Sequence, residues 1–361
     1  MAGADRRPDP APTAAARLEA VWQTGGPRQW LLRPLAGLHG ALVGLRRTLY
    51  RAGVLRTGRL DVPVIVVGNR VAGGAGKTPV TLALVAALQA AGHRPGIVSR
   101  GHGSHQRHAR PVRADSRATE VGDEPLLMQR RSGRPVWVGH DRVAAARALR
   151  QAHPDVDVIV CDDGLQHLRL GRDIEIVVFD ERGAGNGWLL PAGPLREPID
   201  APPAAPLALT LYTCARPSTA LPGDCAERRL AGAVALADWW QGARASAETI
   251  AALRGQRVLA SAGIGQPQRF FDGLRALGLD IAALPLDDHH DHARLPWPAD
   301  ARDVVVTEKD AVKLDPARVA AERPGLHVWV VPLVLTLPAA TTRRVLDALA
   351  ARPAPEASAA R

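Results

Sequence analysis

The sequence of 361 residues is poor in lysine, cysteine and aromatic residues, and each scarcity narrows the possible functions. Its three cysteines, Cys161, Cys214 and Cys225, match neither a disulfide framework nor a zinc-binding spacing, so a reducing compartment is expected. Aromatic residues make up 4% of the chain and no nucleic-acid-binding motif occurs, which argues against a nucleic-acid partner despite the net charge of +10. The apolar content of 46% excludes a mainly disordered chain and favours about two domains.

Lysine is much rarer than arginine. Lys77, Lys309 and Lys313 are the only lysines among 46 Lys and Arg residues. A lysine in such an arginine-rich background indicates a site that prefers a compact ammonium to a planar guanidinium. Chance is the alternative for any one of them, and only the sequence around Lys77 decides between the two. For Lys309, after a predicted strand at 304–306, contact with a phosphate and a solvated helix start both stay open.

The sequence also lacks an apolar run of the roughly 20 residues that cross a bilayer, and no signal peptide is recognised. Residues 1–60 carry ten arginines against three acidic residues, and 1–28 are expected to form a disordered basic extension. In 29–58 leucines recur at helical spacing, with Pro34 expected in the first turn. This amphipathic segment either lies on an anionic membrane surface or packs on the body of the protein.

A glycine-rich loop follows the first β-branched run. Residues 62–67 (VPVIVV) predict a buried parallel strand, and a helical pattern begins after Thr78. In this context backbone N–H groups surround a phosphate, Lys77 reaches the β- and γ-phosphates of ATP, and Thr78 can bind Mg²⁺. Val71 stands where the full phosphate-loop pattern has glycine. The predicted nucleotide-binding residues are Val71, Ala72, Gly73, Gly74, Ala75, Gly76, Lys77 and Thr78.

Two carboxylates end a second apolar run. Asp162 and Asp163 follow residues 156–160, which predict another buried strand. Ligand sites of parallel α/β sheets lie at the carboxyl ends of the strands, so both acids are expected beside the glycine-rich loop. A phosphoryl-transfer enzyme needs acidic Mg²⁺ ligands there. A turn-forming role is the structural alternative.

Longer motifs run through the chain from about residue 30 to residue 335. They are VVGNRVAGGAGKTP (66–79), IVSRGHG (97–103), GDEPLL (122–127), PVWVGHDRVAAA (135–146), CDDGLQHLRL (161–170), NGWLLPAGPLREP (186–198), SAGIGQPQRFF (261–271), DDHHDH (287–292) and TEKDAVKL (307–314). In this order they resemble the tetraacyldisaccharide 4′-kinase family of the lipid A pathway in Gram-negative bacteria. DDGLQH, LLPAGPLREP and GDEP carry more of the resemblance than the widely shared phosphate loop.

The resemblance implies transfer of the γ-phosphate of ATP to the 4′-hydroxyl of a tetraacyldisaccharide 1-phosphate, which gives lipid IVA. It implies a P-loop NTPase-like α/β/α domain, a second, smaller α/β/α domain and an active site in the cleft between them. It also implies a peripheral enzyme on the cytoplasmic face of the inner membrane, attached through an N-terminal amphipathic helix. The domains are then expected at 59–205 and 206–350, followed by a disordered tail at 351–361.

The family's site residues fall on matching positions of this chain. The resemblance implies that Asp123 is the catalytic carboxylate, that His289 is its partner and that Lys77 is the phosphate-loop lysine. A sugar hydroxyl is a poor nucleophile, and a carboxylate held by an imidazole can accept its proton during transfer. The other implied residues are Thr78, Asp162 and Asp163 for Mg²⁺ and Gln166, His167, Arg196 and Glu197 along the substrate cleft.

Some features depart from the family pattern or leave alternatives open. Ala75, the segment 70–72 and His102 differ from the usual residues, which places loop detail and substrate contacts in question. His290 would take the histidine role if the register shifted by one position. Adventitious metal binding by the DDHHDH cluster is a further alternative. Two other functions remain: a P-loop ATPase switch that regulates a membrane-associated partner, and a membrane-surface module with a degenerate nucleotide site.

Overall fold

The computed structural model describes residue 22, residues 27–101 and residues 108–352. Most of the N-terminal extension, His102 and most of the expected tail lie outside the described residues. The described chain alternates strands and helices around two mainly parallel sheets, which confirms the predicted α/β class.

Eight strands form the larger sheet. They are β1 (Val64–Gly68), β2 (Pro95–Ser99), β3 (Arg110–Val112), β4 (Val136–Val138), β5 (Val158–Asp162), β6 (Ile174–Phe179), β7 (Leu207–Tyr212) and β8 (Asp224–Cys225). Their spatial order is β3-β4-β2-β5-β1-β6-β7-β8, and every pair is parallel except β3 with β4. The central strands β1, β5 and β6 are buried along their whole length, as their Val- and Ile-rich sequences predict.

Helices precede and connect these strands. They are α1 (Pro27–Arg51), α2 (Lys77–Ala90), α3 (Ala118–Val121), α4 (Asp123–Ser132) and α5 (Arg142–Ala152). Helices α2 and α4 pack side by side. Because α2 follows β1 directly, its first turn lies at the carboxyl edge of the sheet, where β5 ends beside it. The beginning of α4 lies close to that of α2, since the Glu124 carboxylate interacts electrostatically with Lys77.

A second sheet carries the rest of the chain. Its strands are β10 (Val234–Ala235), β11 (Arg257–Ala262), β12 (Asp280–Pro285), β13 (Asp303–Thr307) and β14 (His327–Val331), in the order β10-β14-β13-β11-β12. The helices of this half of the chain are α6 (Leu236–Trp240), α7 (Ala247–Ala252), α8 (Pro267–Ala276), α9 (Glu308–Ala311), α10 (Pro316–Glu322) and α11 (Ala339–Ala350), the last of which packs against α2. An antiparallel pair, β9 (Glu227–Leu230) with β15 (Leu333–Thr336), completes the described strands.

The larger sheet extends past residue 205, where the first domain is expected to end. Strand β7 pairs with β6 from Leu207 to Tyr212, and β8 continues the sheet at 224–225. The Pro/Ala-rich segment 199–206 is therefore a connection within the larger sheet, and the expected boundary falls inside that sheet. The sequence LALTLY has the apolar, β-favouring character that extends a parallel sheet.

One apolar cluster joins the two halves of the chain. It includes Ile65 and Leu84 from the first half together with Val304 and Val345 from the second. Helix α9 also packs against α4, so the second half lies directly against the beginning of α4. The groups at 308–313 are thus held close to those at 123–124.

Helix α1 turns its apolar stripe away from the protein. It begins at Pro27, so Pro34 lies inside the helix rather than in its first turn as expected. Five of its leucines are exposed, with 78% exposure for Leu31 and 54–58% for Leu35, Leu38, Leu42 and Leu45, whereas Leu32 and Leu49 are half-buried. None of the helices in the described part of the chain has both the length and the hydropathy needed to cross a membrane.

The opposite side of α1 contacts the segment that follows Trp188. His39 Nε2 lies 3.0 Å from the carbonyl oxygen of Arg196, and Arg47 donates a hydrogen bond to Glu197. A side chain at Gly40 would come within 2.7 Å of Leu189 Cδ1, so glycine permits the close approach. The helix thus packs on the body through polar and small residues and leaves five of its leucines uncovered.

Candidate active site

The glycine-rich loop connects β1 to α2. Gly73 and Gly76 have φ values of 90° and 81°, a left-handed conformation that glycine adopts without strain. Val71 has no such backbone angle; it is 4% exposed and packs with Leu165 and Phe179. Valine therefore replaces the usual glycine at a position where the loop needs an apolar side chain.

Lys77 crosses the mouth of this loop. Its Nζ lies 3.4 Å from both Asn69 Oδ1 and the Gly73 carbonyl oxygen, and 3.6 Å from Asp163 Oδ1. The side chain is buried, as is the neighbouring Thr78. The first-turn N–H groups of α2 and a buried ammonium consequently face the same point, which is the electrostatic setting that attracts a phosphate.

The remaining loop residues are anchored by backbone contacts. The Ala72 N–H donates to the Pro194 carbonyl oxygen at 2.7 Å, and the Ala75 carbonyl accepts from Thr213 Oγ1 at 3.3 Å. Arg182 donates from Nη2 to the Gly74 carbonyl oxygen at 2.8 Å. Sequence reasoning did not identify Arg182 or Thr213, because no local motif signals these long-range contacts.

Asp162 lies where β5 ends, opposite Val67 of β1. Its Oδ1 accepts a hydrogen bond from Thr81 Oγ1 at 2.7 Å, whereas its buried Oδ2 has no partner among the described residues. Burial and the nearby Glu124 carboxylate raise the pKa of Asp162 to about 7. A buried carboxylate oxygen without a donor is suited to binding a cation.

Asp163 faces the loop from the next position, with a φ of 48°. Arg196 Nη1 lies 3.3 Å from its Oδ1. Burial raises the pKa of Asp163, but Lys77, Arg196 and Arg142 together hold it below its ordinary value. Asp163 is therefore an anion held between the loop lysine and the predicted substrate-cleft arginine.

The donor set at this edge fits Mg²⁺. Mg²⁺ prefers oxygen ligands and commonly uses one or two carboxylates together with phosphate oxygens. Thr78, Asp162 and Asp163 supply such oxygens, and Asp162 Oδ2 is unpartnered in the described structure. No group of three or more His, Cys, Asp or Glu side chains within the described ranges could hold a metal by itself. The DDHHDH cluster therefore shows no metal-binding arrangement of its own.

Asp123 and His289 contact each other across the two halves of the chain. Asp123 begins α4 and is 6% exposed, and its Oδ2 lies 2.8 Å from His289 Nδ1. Burial raises the pKa of Asp123, but His289 and Lys309 outweigh it and hold that pKa well below its ordinary value. The hydrogen bond to Asp123 raises the pKa of His289. The arrangement is a carboxylate oriented by an imidazole.

The structure distinguishes His289 from its neighbours. The His290 ring lies 4.9 Å from the His292 ring, edge to face, and His292 Nε2 lies 3.0 Å from Asp310 Oδ1. The alternative register, with His290 against Asp123, is therefore absent from the described structure. His289 has a φ of 60°, a left-handed value that the loop imposes on it.

Two lysines from the second half form ion pairs with Asp123 and its neighbour Glu124. Lys309 Nζ donates to Glu124 Oε1 at 2.7 Å, and Lys313 Nζ lies 3.9 Å from Asp123 Oδ2. Sequence reasoning left the role of Lys309 open, assigned none to Lys313 and did not identify Glu124. The scarcity of lysine was the available signal, because each of the three lysines pairs with a carboxylate at this site.

The predicted cleft residues divide into two groups. Gln166 Nε2 donates to the Asn69 carbonyl oxygen at 3.0 Å and to Glu197 Oε1 at 2.9 Å, and Arg196 contacts Asp163, so these three residues join the loop network. His167 has different neighbours: its Nε2 lies 4.0 Å from Asp141 Oδ1. Burial and Arg142 lower its pKa to about 4. None of these contacts links His167 to Lys77 or Asp123.

Comparisons with known proteins show what the chain is similar to. A family model described as tetraacyldisaccharide-1-P 4′-kinase matches residues 28–350. A protein of Leptothrix cholodnii named tetraacyldisaccharide 4′-kinase is 69% identical over 338 residues, which cover 94% of this chain and 97% of that protein. A protein of Methylibium petroleiphilum with the same name is 60% identical over 328 residues, 91% of each chain.

A solved structure shares the fold. The crystal structure of LpxK from Aquifex aeolicus in complex with ATP superposes with a TM-score of 0.74 and 25% sequence identity. The match covers 89% of this chain and 99% of that chain. The comparisons give no support to a P-loop switch or to a membrane-surface binding module.

Proposed function

Because the chain belongs to the tetraacyldisaccharide-1-P 4′-kinase family, we propose that this cleft transfers the γ-phosphoryl group of ATP to the 4′-hydroxyl of a tetraacyldisaccharide 1-phosphate. The product is the 1,4′-bisphosphate, lipid IVA, in lipid A biosynthesis. The observation that carries the proposal is that the loop lysine Lys77 and the Asp123–His289 pair lie at the beginnings of the adjacent helices α2 and α4.

Lys77 and the loop 71–78 bind the phosphates of ATP. Backbone N–H groups at the start of α2 and the buried ammonium compensate the charge of the β- and γ-phosphates. Thr78, Asp162 and Asp163 would hold Mg²⁺, which would neutralise charge on the phosphate oxygens. In a loose phosphoryl-transfer transition state most of the catalytic effect comes from positioning and charge compensation, and this chain supplies both with fixed groups.

Asp123 accepts the proton of the attacking hydroxyl. Its depressed pKa keeps it ionised, so one oxygen can receive a hydrogen bond from the 4′-hydroxyl and then its proton, as the new O–P bond forms and the bond from the γ-phosphorus to the β,γ-bridging oxygen breaks to release ADP. His289 fixes the carboxylate through Oδ2 and is itself fixed by a backbone hydrogen bond from its N–H to the Gly263 carbonyl oxygen at 3.2 Å. The pair therefore orients the acceptor and takes up its proton.

Gln166, Arg196 and Glu197 position the sugar and its phosphate. They connect the loop, through Asn69 and Asp163, to the segment on which α1 rests. A substrate bound there would lie between the ATP phosphates and the first helix. His167 stays a proposed cleft residue; its ring lies near Asp141, and its carbonyl oxygen accepts a hydrogen bond from Arg172.

Helix α1 attaches the enzyme to the cytoplasmic face of the inner membrane. Its exposed leucines would enter the acyl boundary, and the arginines beside them would contact anionic headgroups. The polar contacts of His39 and Arg47 fix the helix on the catalytic body. A lipid acceptor would then meet the cleft without leaving the membrane surface.

The function is tested with an acceptor that lacks the reacting group. Purified enzyme, ATP and Mg²⁺ are incubated with a tetraacyldisaccharide 1-phosphate or with its 4′-deoxy analogue. The masses of the lipid products are then determined by mass spectrometry. We expect one added phosphate on the first lipid and none on the second. Phosphate on both lipids would place the reaction at another atom. ATP hydrolysis without a phosphorylated lipid would favour the P-loop ATPase switch instead.

A further inference from the structure

The three lysines of this chain share one location. In a sequence that uses arginine almost everywhere else, Lys77 pairs with Asp163, Lys309 with Glu124 and Lys313 with Asp123. An ammonium presents a compact charge to single oxygens, whereas a guanidinium needs space for a planar fork. The pattern indicates that each position requires the smaller head group.

Lys313 is the most buried of the three lysines. Its side chain is 5% exposed, and its Nζ makes no hydrogen bond within the part of the chain that the structure describes. It lies 3.9 Å from Asp123 Oδ2, the same oxygen that His289 contacts, and 3.4 Å from Asp310 Oδ1. One buried cation therefore stands between two buried carboxylates from different halves of the chain.

Asp310 connects Lys313 to the loop that carries His289. Asp310 is fully buried and accepts hydrogen bonds from the Gly263 N–H at 3.1 Å and from Thr307 Oγ1 at 2.7 Å. The Gly263 carbonyl oxygen in turn accepts the N–H of His289. Asp310 therefore connects Lys313 to Gly263, whose carbonyl oxygen holds the backbone N–H of His289.

We propose that Lys313 is a positioning residue, which holds the Asp123 carboxylate in register with His289 by bridging Asp123 and Asp310. It touches neither ATP nor the acceptor and acts through the oxygen that His289 also contacts. This inference rests on the proposed function, since it assigns Asp123 the role of proton acceptor. A misplaced or reprotonated Asp123 would slow transfer while leaving the phosphate loop intact.

The test compares variants in one lipid-kinase assay. Lys313→Met keeps the length of the side chain without its charge, and Lys313→Arg keeps the charge with a larger head. Arg318→Met is the matched control, because Arg318 donates to the carbonyl oxygens of His292 and Ala293 and so supports the same loop without contacting Asp123. Each variant is measured for kcat, for the KM of ATP and for the pH dependence of kcat.

For Lys313→Met we expect kcat to fall at least about tenfold while the KM of ATP stays within about twofold, the signature of a lost transition-state interaction. The acid limb of its kcat profile should move to higher pH, because Asp123 would keep Lys309 and His289 but lose one of its facing cations. Lys313→Arg should retain more kcat than Lys313→Met and less than the wild type. Arg318→Met should keep the wild-type profile.

Several outcomes overturn the proposal. They are a Lys313→Met kcat within about twofold of wild type, an equal loss in Arg318→Met, or a loss of ATP binding in both Lys313 variants, which would make the residue structural. If Lys313→Met does not fold, Lys313→Arg decides through its kcat at unchanged ATP affinity. An inactive wild-type enzyme that still binds ATP would instead contradict the proposed function, so the two failures are distinguishable.

Discussion

His289 Nδ1 lies 2.8 Å from Asp123 Oδ2, although the two residues are 166 positions apart in the sequence. The contact joins the start of α4 in the first half to a left-handed loop in the second. It brings a buried anion and an imidazole together beside the phosphate loop. The chemistry proposed for this protein depends on the two halves being held in this relationship.

The Asp123–His289 pair should make stability depend on pH. A carboxylate whose pKa falls on folding stabilises the fold above its ordinary value of 3.8, and that stability is lost as the pH falls through the folded value. A histidine whose pKa rises contributes fully below its ordinary value of 6.5, and this contribution is lost as the pH rises through the folded value. The pair therefore stabilises the folded state most between pH 3.8 and pH 6.5.

The measurement is urea unfolding of wild type and His289→Asn at about pH 5.5 and about pH 9. We expect His289→Asn to be less stable than wild type at the lower pH, with a smaller difference at the higher pH. The same comparison in an Asp123→Asn background should show no pH-dependent difference, because the partner charge is gone. A pH-independent difference in the wild-type background would exclude the ion pair as its source.

Even a conservative replacement of Lys77 should impair activity. Lys77→Met removes the ammonium from the mouth of the loop, and we expect kcat/KM for ATP to fall by at least about a hundredfold. Lys77→Arg should remain strongly impaired, because the buried ammonium lies 3.4 Å from both Asn69 Oδ1 and the Gly73 carbonyl oxygen, and a planar guanidinium needs more space than an ammonium. Both variants should keep the far-UV spectrum and unfolding midpoint of a folded chain. Near-wild-type activity of Lys77→Arg would refute the steric part of this argument.

The side chain of Val71 should matter for stability and not for nucleotide binding. Val71→Gly restores the usual phosphate-loop residue but removes a side chain that packs with Leu165 and Phe179, so we expect a loss of about 1–3 kcal/mol in the free energy of unfolding. Ala72→Gly, at a half-buried neighbour, is the matched control and should cost less. Tighter ATP binding by Val71→Gly in isothermal titration would show that the valine compromises the loop.

The leucine face of α1 should determine membrane association. Replacing Leu35, Leu38 and Leu42 together by serine should lower binding to anionic liposomes by more than about tenfold, since each buried leucine contributes roughly 1.5–3 kcal/mol. The control is His39→Ala, on the face that contacts Arg196, which should leave liposome binding unchanged. Equal co-sedimentation of the triple variant and wild type would contradict a membrane role for these leucines.

Local sequence predicted what local physics determines. The β-branched run, the glycines and Lys77-Thr78 identify a strand, a loop and a helix start within about twenty residues, and Asp162 ends the next predicted strand. The motifs also named Asp123 and His289, whose contact the structure then showed. These features are either adjacent in the sequence or carried by recognisable motifs.

Contacts between residues that are distant in the sequence could not be predicted from local sequence. Lys309 and Glu124 are 185 positions apart, and nothing in either segment names the other as its partner. The sequence also does not show that the larger sheet continues past the boundary expected at 205, because Pro- and Ala-rich composition marks a connection without showing which sheet the next strand joins. Similarly, leucine spacing predicts a helix at α1, but only its contacts with Arg196 and Glu197 show which face is uncovered.

The most direct test of the account follows labelled γ-phosphate from Mg-ATP into a tetraacyldisaccharide 1-phosphate in mixed micelles. Wild type and Asp123→Asn are compared at saturating lipid, with ATP binding measured on both. We expect labelled lipid from the wild type and a loss of at least about a hundredfold in Asp123→Asn at unchanged ATP affinity. Transfer by Asp123→Asn at more than half the wild-type rate would remove Asp123, and the pair it forms with His289, from the mechanism.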